Sequence, residues 1–321
     1  MATQSPRPDA SELSIRPMRE ADLAEAGQIV RLAFGTFLGV PDLESFWADR
    51  DYLRTRWHGK TGEGVVAEGD GRLVGSNFAT VWGSFGFFGP LTIRPEFWDR
   101  GIAQRLLAPT MDIFAKCGVR ESGLFTFAQS AKHVGLYQKF GYWPRYLTAL
   151  MSKVVKGPSG AITKYSALRE NDRAAALNES RKLTDSIFDG LDVSCEIRSV
   201  HQQNLGDTVL LWGGGSVEGF AVCHCGEGTE AGRGSCYIKF AAVPPGPHAP
   251  VAFERLLDAC QSLAWERKTP RIQAGMNLSR VDAFLQMQAR GYRTDVQGVA
   301  MHKPDLPGFN RPDVFVIDDW R

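Results

Sequence analysis

The sequence has no apolar run approaching the roughly 20 residues that a membrane-spanning helix needs, so a membrane protein is not expected. It has no surplus of charge either. Its 37 Lys and Arg against 36 Asp and Glu leave a formal net charge of +1, too little to make a polyanion such as nucleic acid the expected partner. Met1 to Glu12 carries Pro6 and Pro8 but no apolar stretch, so it does not read as a secretory signal, and the cytoplasm is the expected compartment. Cysteine is sparse: Cys117, Cys195, Cys223, Cys225, Cys236 and Cys260. Without an export signal these are expected as buried thiols rather than a disulfide framework. Cys223-His224-Cys225 would set two thiols on one face of a strand. No second Cys/His pair stands at metal-ligand spacing, so no metal is expected.

With 43% hydrophobic and 23% charged residues the chain sits near the globular average, which predicts a packed core. Its 321 residues suffice for one large or two ordinary domains. The pattern of elements favours two, because it runs through one plan twice. In the first half, Ser14 to Met18 reads as a strand, Ala21 to Phe34 as a helix and Phe46 to Trp57 as another. Gly64 to Glu68 and Leu73 to Ala79 read as a hairpin about Gly69-Asp70-Gly71. Phe87 to Ile93 is expected as a strand ended by Pro95, Gly101 to Lys116 as a helix stopped at Gly118, Gly123 to Ala128 as a strand, and Ser130 to Phe140 as a helix stopped at Gly141. Pro109 should kink or shorten the helix that contains it. The Lys-, Gly-, Pro- and Ser-containing stretch Met151 to Ala161 marks the junction. In the second half, Asp172 to Phe188, Val251 to Arg267 and Ser279 to Arg290 read as helices. Val209 to Trp212, Gly219 to His224, Cys236 to Val243, Arg271 to Ala274 and Val296 to His302 read as strands.

The chemistry concentrates in Leu91 to Leu107. A buried strand ends at Pro95, and a short loop delivers Arg100-Gly101-Ile102-Ala103 to a helix start. Glycine and alanine let a large anion approach the backbone, and the free N–H groups of a first helical turn, with the helix dipole, make an anion site. A pyrophosphate is the natural ligand. Trp82, Phe85, Phe87 and Phe88 precede that strand and are expected mainly in packing, with an apolar acceptor pocket as the alternative.

This segment resembles the GNAT family of N-acetyltransferases, whose cofactor loop reads Gln/Arg-x-x-Gly-x-Gly/Ala. The matching positions are Trp98, Asp99, Arg100, Gly101, Ile102 and Ala103, followed by Gln104; Trp98 replaces the usual Gln or Arg. A later family segment, Asn-x-x-Ala-x-x-Leu-Tyr-x-x-x-Gly-Phe, is met by Ser130, His133, Leu136, Tyr137, Gly141 and Tyr142, with Ser130 and His133 differing from the commonest residues. Two segments in order are more specific than either alone. The resemblance implies an α/β (α+β mixed-sheet) fold, splayed open at the strand before the loop. It implies acetyl-CoA as acyl donor, with the backbone of Leu91, Thr92 and Ile93 along its pantetheine arm, residues 98–104 at its pyrophosphate, and Ser130 and His133 in contact with it. Tyr137 is the candidate general acid for the departing thiolate. Glu96, His58, Asp70 and His133 are titratable, but none declares itself as the base.

The second half looks like the same fold in degenerate form. Asn277 to Phe284 followed by Gly291-Tyr292 matches the later segment, with Phe284 expected at the position of Tyr137. Where a cofactor loop should follow Phe240 to Val243, Pro244, Pro245, Pro247 and Pro250 remove N–H donors. The expected organisation is a catalytic unit over 13–153, a linker over 154–162 and a degenerate unit over 163–321 that covers the acceptor pocket or dimerises. The expected activity is acetyl transfer to a primary amine, on a small molecule or a protein. An acyl-CoA-responsive regulator without turnover is the alternative. A dinucleotide-binding protein is disfavoured, because Gly213-Gly214-Gly215 precedes a strand signal rather than a helix.

Overall fold

The computed structural model describes residues 13–321; Met1 to Glu12, and the reading that it is no secretory signal, lie outside them. The first half runs β1 (Ser14–Pro17), α1 (Leu23–Leu38), α2 (Leu53–Gly59), β2 (Gly62–Gly69), β3 (Arg72–Trp82), β4 (Phe85–Phe88), β5 (Thr92–Ile93), α3 (Ile102–Lys116), β6 (Glu121–Thr126), α4 (Ala131–Gln138) and β7 (Trp143–Val154). The second runs β8 (Thr163–Lys164), α5 (Glu170–Ile187), α6 (Ser194–Gln202), β9 (Gly206–Gly213), β10 (Ser216–Gly226), β11 (Gly232–Ala242), α7 (Ala249–Glu266), β12 (Arg271–Asn277), α8 (Val281–Ala289), β13 (Arg293–Lys303) and β14 (Val316–Ile317). Residues 155–162 between the halves form neither helix nor strand. No helix among the described residues is long and apolar enough to cross a membrane.

The halves share one mixed sheet, and they interlock in it. Its order is β1-β2-β3-β4-β6-β13-β7-β12-β11-β10-β9-β8. Each half lends its last long strand to the other: β13 pairs with β6 of the first half, and β7 pairs with β12 of the second. The packing follows the same plan. Trp82, Phe85 and Phe87 lie in one buried cluster with Leu183, Phe240 and Trp320, so the aromatic run serves packing between halves, and only Phe88 of it joins the first half's own core.

The sheet has two forks, one in each half. β4 and β6 run parallel from Phe85–Glu121 to Phe87–Gly123, then part. The chain after Phe88 passes a cis Gly89–Pro90 bond and pairs with β3 through β5, while β6 stays with β13. Phe87 to Ile93 is therefore two short strands rather than one, because the Gly-Pro step breaks the ladder and Pro90 has no N–H to give. In the second half β11 and β12 run parallel from Ser235–Arg271 to Ile238–Ala274. There the fork is filled. β14 pairs with Ala241 and Ala242 of β11, and Asp319 passes so close to Gly275 of β12 that a Cβ on that glycine would lie 2.1 Å from the Asp319 Cβ.

Several local expectations need correction. Phe46 to Trp57 is helical only from Leu53. Arg50 instead bridges Thr229 of the second half, whose carbonyl accepts the Asp51 N–H at 3.2 Å, and Trp47 sits at φ 52°, outside helical space. α3 continues through Pro109 to Lys116 without being shortened. The cysteines are all free, but Cys117 is exposed rather than buried. Helix α6 was not anticipated; it is short, its first turn is held by the Asp192 carboxylate accepting the Ser194 N–H at 2.8 Å, and it buries Ile197 and Val200.

Candidate active site

The open fork of the first half widens into a cleft of about 700 Å³. One wall is the strand edge from Phe88 to Ile93, the other is β6 and α4, and the loop before α3 closes one end. The antiparallel ladder decides which strand groups face the fork. The Arg94 N–H donates to Val74 O at 2.8 Å, and Thr92 faces Ser76, so the backbone edges of Leu91 and Ile93 alternate away from β3 toward the opening. The Ile93 carbonyl is already engaged, accepting the Trp98 indole N–H at 2.8 Å. This bond folds Trp98 back onto the strand, a use of that position that the motif comparison did not reveal.

The loop has the geometry of an anion cradle. Asp99 and Gly101 both have left-handed backbone, at φ 66° and 73°. Gly101 is the N-cap of α3, and a Cβ placed on it would meet nothing within 4 Å, so the space before the helix is open. Gln104 and Arg105 donate back to the Gly101 carbonyl, whereas the N–H groups of Ile102 and Ala103 have no carbonyl one turn behind them inside the helix. They point at the cleft with the positive end of the helix dipole. Positive charge gathers there: the Arg100 guanidinium lies over the Phe97 ring, and Lys132 Nζ sits 2.5 Å from Asp99 Oδ1.

Across the cleft, α4 starts at Ser130 and brings His133 and Tyr137 to the lining, one turn apart on one face. Tyr137 is 8% exposed and packs against Phe88, ring centres 5.7 Å apart. Burial pushes its pKa above the ordinary phenol value, so it holds its proton at neutral pH. His133 lies 5.1 Å from the Phe37 ring, and burial, then Lys132, holds its pKa below the usual imidazole value; it is neutral at pH 7. All thirteen residues singled out from the sequence, Leu91, Thr92, Ile93, Trp98 to Gln104, Ser130, His133 and Tyr137, line this one cleft. Of the other titratable residues considered, Glu96 faces Arg72 and His58 faces Glu20, both outside the cleft. Sequence reasoning missed the remaining wall: Phe34 and Phe37 of α1, Trp47, Tyr52, and Trp320 and Arg321 from the far end of the chain. Their helical or loop positions carry no motif.

A buried charge cluster braces the cleft from below. Arg56 donates to both carboxylate oxygens of Glu230 at 3.0 Å, to Gly89 O in the cleft strand at 2.7 Å, and to Arg321 O. Lys239 meets Glu230 at 2.7 Å and Glu196 at 3.0 Å. Two cations thus face two carboxylates, and Arg56 and Lys239 hold Glu230 ionised despite complete burial.

The second half differs at the corresponding positions. The backbone register of α8 moves the counterpart of Tyr137 from Phe284, as expected, to Met287. Tyr142 and Tyr292 donate to the carbonyls of Tyr137 and Met287 respectively, so the count runs back from the shared Gly-Tyr end. Met287 is fully buried and has no proton to give. Arg280, which caps α8 where Ser130 caps α4, donates to Val316 O at 2.8 Å and pairs with Asp318, fastening β14 into the fork.

Residues 28–142 match the model of the acetyltransferase (GNAT) family. No curated protein matches the chain. Among solved structures, one described as a candidate acetyltransferase from Pyrococcus horikoshii is similar over 100% of this chain and 99% of its own, at 13% identity and a TM-score of 0.67. A GCN5-related N-acetyltransferase from Sphaerobacter thermophilus is similar over 92% and 96%, at 15% identity and a TM-score of 0.58. A tandem GNAT protein from the clavulanic acid biosynthesis pathway is similar over 91% and 98%, at 13% identity and a TM-score of 0.55. At these identities the likeness is one of fold: a mixed α/β GNAT fold of two halves.

Proposed function

For a chain that carries a GNAT domain in its first half, we propose N-acetyl transfer from acetyl-CoA to a primary amine, by direct attack with both substrates bound in the open fork. The observation that carries this is the convergence in one cleft of an uncapped helix start at Gly101 and a buried, protonated phenol at Tyr137. Acetyl-CoA supplies an acetyl group activated as a thioester: a C–N bond to the amine forms, the C–S bond breaks, and CoA leaves as the thiol. Ile102 and Ala103 N–H groups with Arg100 hold the pyrophosphate, with Asp99 and Gln104 beside them. The open edge of Leu91 and Ile93, with Thr92 between them, lies along the pantetheine arm, and Ser130 and His133 face it from α4. Tyr137, kept protonated by its burial, gives its hydroxyl proton to the departing sulfur as the thiolate forms. The amine proton leaves to solvent at the cleft mouth, and solvent returns a proton to the Tyr137 phenolate.

In this reading residues 13–153 form the catalytic unit, 154–162 the linker and 163–321 a partner unit that binds no CoA, its fork being taken by β14. The test is release of free thiol from acetyl-CoA by the full chain on addition of amines, with mass spectrometry for the acetylated product. Amine-dependent thiol release supports the reading. Tight acetyl-CoA binding without acetylation of any amine would favour a regulatory acyl-CoA sensor instead.

A further inference from the structure

The wall that the proposed acceptor would meet differs in kind from the end that holds the anion site. Phe34 and Phe37 from α1, with Trp47 and Tyr52 behind them and Trp320 from the far end of the chain, all line the cleft. Three of them pack in a row: Phe34 and Trp47 lie 5.3 Å apart, and Trp47 and Tyr52 5.9 Å. Phe37 extends the surface toward α4 by contacting Phe127 and His133, each at 5.1 Å. This places an aromatic face one contact away from the residues proposed to serve the reaction.

Charge in the cleft is arranged against a polycation. Among the described residues Asp99 is the only acidic side chain on the lining, and it is committed to Lys132 beside the cofactor loop. Two rings of this wall, Trp47 and Tyr52, already carry the protein's own cations. The Arg50 guanidinium lies 5.8 Å from the Trp47 ring centre and that of Arg56 5.5 Å from Tyr52. An acceptor with several ammonium groups would lose its hydration here and find no uncommitted acidic side chain among the described lining residues in exchange. An acceptor with one amine on a flat apolar body would bury that body on rings and present its nitrogen toward Tyr137.

We infer that the acceptor is a monoamine borne on an aromatic or similarly broad apolar body, and that Phe34, Phe37 and Trp47 select it. This rests on the reading of the cleft as an amine acetyltransferase site and narrows it to a substrate class. It sets polyamines and aminoglycosides outside the substrate range.

The test is calorimetric binding of 2-phenylethylamine and of spermidine to the full chain, after acetyl-CoA binding has been measured on the same preparation. We expect 2-phenylethylamine to bind at least tenfold more tightly than spermidine. Trp47→Ala should cost it at least fivefold while changing acetyl-CoA affinity less than threefold. Phe37→Leu, which keeps an apolar side chain, provides a milder second variant with a smaller loss in the same direction. Spermidine binding as tightly as 2-phenylethylamine, or phenylethylamine affinity indifferent to both substitutions, would overturn the inference. Loss of acetyl-CoA binding by the unaltered chain would instead sink the transferase reading, with the ranking of the two amines still measured.

Discussion

At the scale of the residue, Tyr137 carries the sharpest expectation. Replacing it with Phe removes one oxygen from a side chain packed on Phe88 and leaves the ring in place. The account predicts a fall in kcat of about 10² or more with little change in acetyl-CoA affinity, the range that general acid catalysis supplies. Because burial raises its pKa, Tyr137 stays protonated through the neutral and mildly alkaline range, so an alkaline limb in a rate profile below pH 9 would belong to another group. Two histidines make a separate prediction about stability. Burial lowers the pKa of His224 to about 3 and of His302 to about 4, against about 6.5 for an unfolded histidine. A depressed folded pKa means that the unfolded chain takes up protons first. The stability contribution is complete above pH 6.5 and is lost as pH falls toward the folded values, at about 1.4 kcal/mol per pH unit for each group. The melting temperature should hold from pH 8 to 7 and drop below 6.5, and His302→Asn, which keeps a polar partner for Asn310, should shallow that drop. Tyr137 and Gly101 were legible in the sequence because the motif fixes their spacing. The indole bond from Trp98 to the Ile93 carbonyl was not, since only the fold brings the two together.

At the scale of the element, the proposed function rests on α3 and the two forks. Gly101→Glu puts a left-handed residue and a negative charge at the mouth of the proposed anion site, in space that nothing else fills. The backbone strain is about 1–2 kcal/mol, so the chain should fold with a small loss in melting temperature while acetyl-CoA affinity drops by about a hundredfold or more. Most helices and strands were readable from periodicity, because each half has amphipathic helices over a sheet. The failures have separate causes, and the first is a tertiary partner that overrides local pattern. Phe46 to Arg50 has apolar spacing fit for a helix, yet its backbone is drawn to Thr229 across the two halves. The Gly89-Pro90 step inside an apolar run is a turn signal that the run itself concealed. β14 is two residues long and carries no periodic signal, and only the filled fork shows its purpose.

At the scale of the whole molecule, the halves act as one body through exchanged strands and the buried cluster around Glu230. Glu230→Ala would leave Arg56 and Lys239 buried without a shared carboxylate, and should destabilise the chain by about 3–5 kcal/mol, read as a shift in the denaturant midpoint. Since Arg56 also holds Gly89 of the cleft strand, the same substitution should weaken acetyl-CoA binding from a distance. The duplication of plan was visible in the order of elements and the two Gly-Tyr steps. That the second half is closed by the chain's own strand, and lends Trp320 and Arg321 to the first half's cleft, was not. The most direct measurement is a calorimetric titration of acetyl-CoA into the full chain. The account predicts one site per chain, weakened about a hundredfold or more by Gly101→Glu. Two sites per chain, or a single site indifferent to Gly101→Glu, would contradict it.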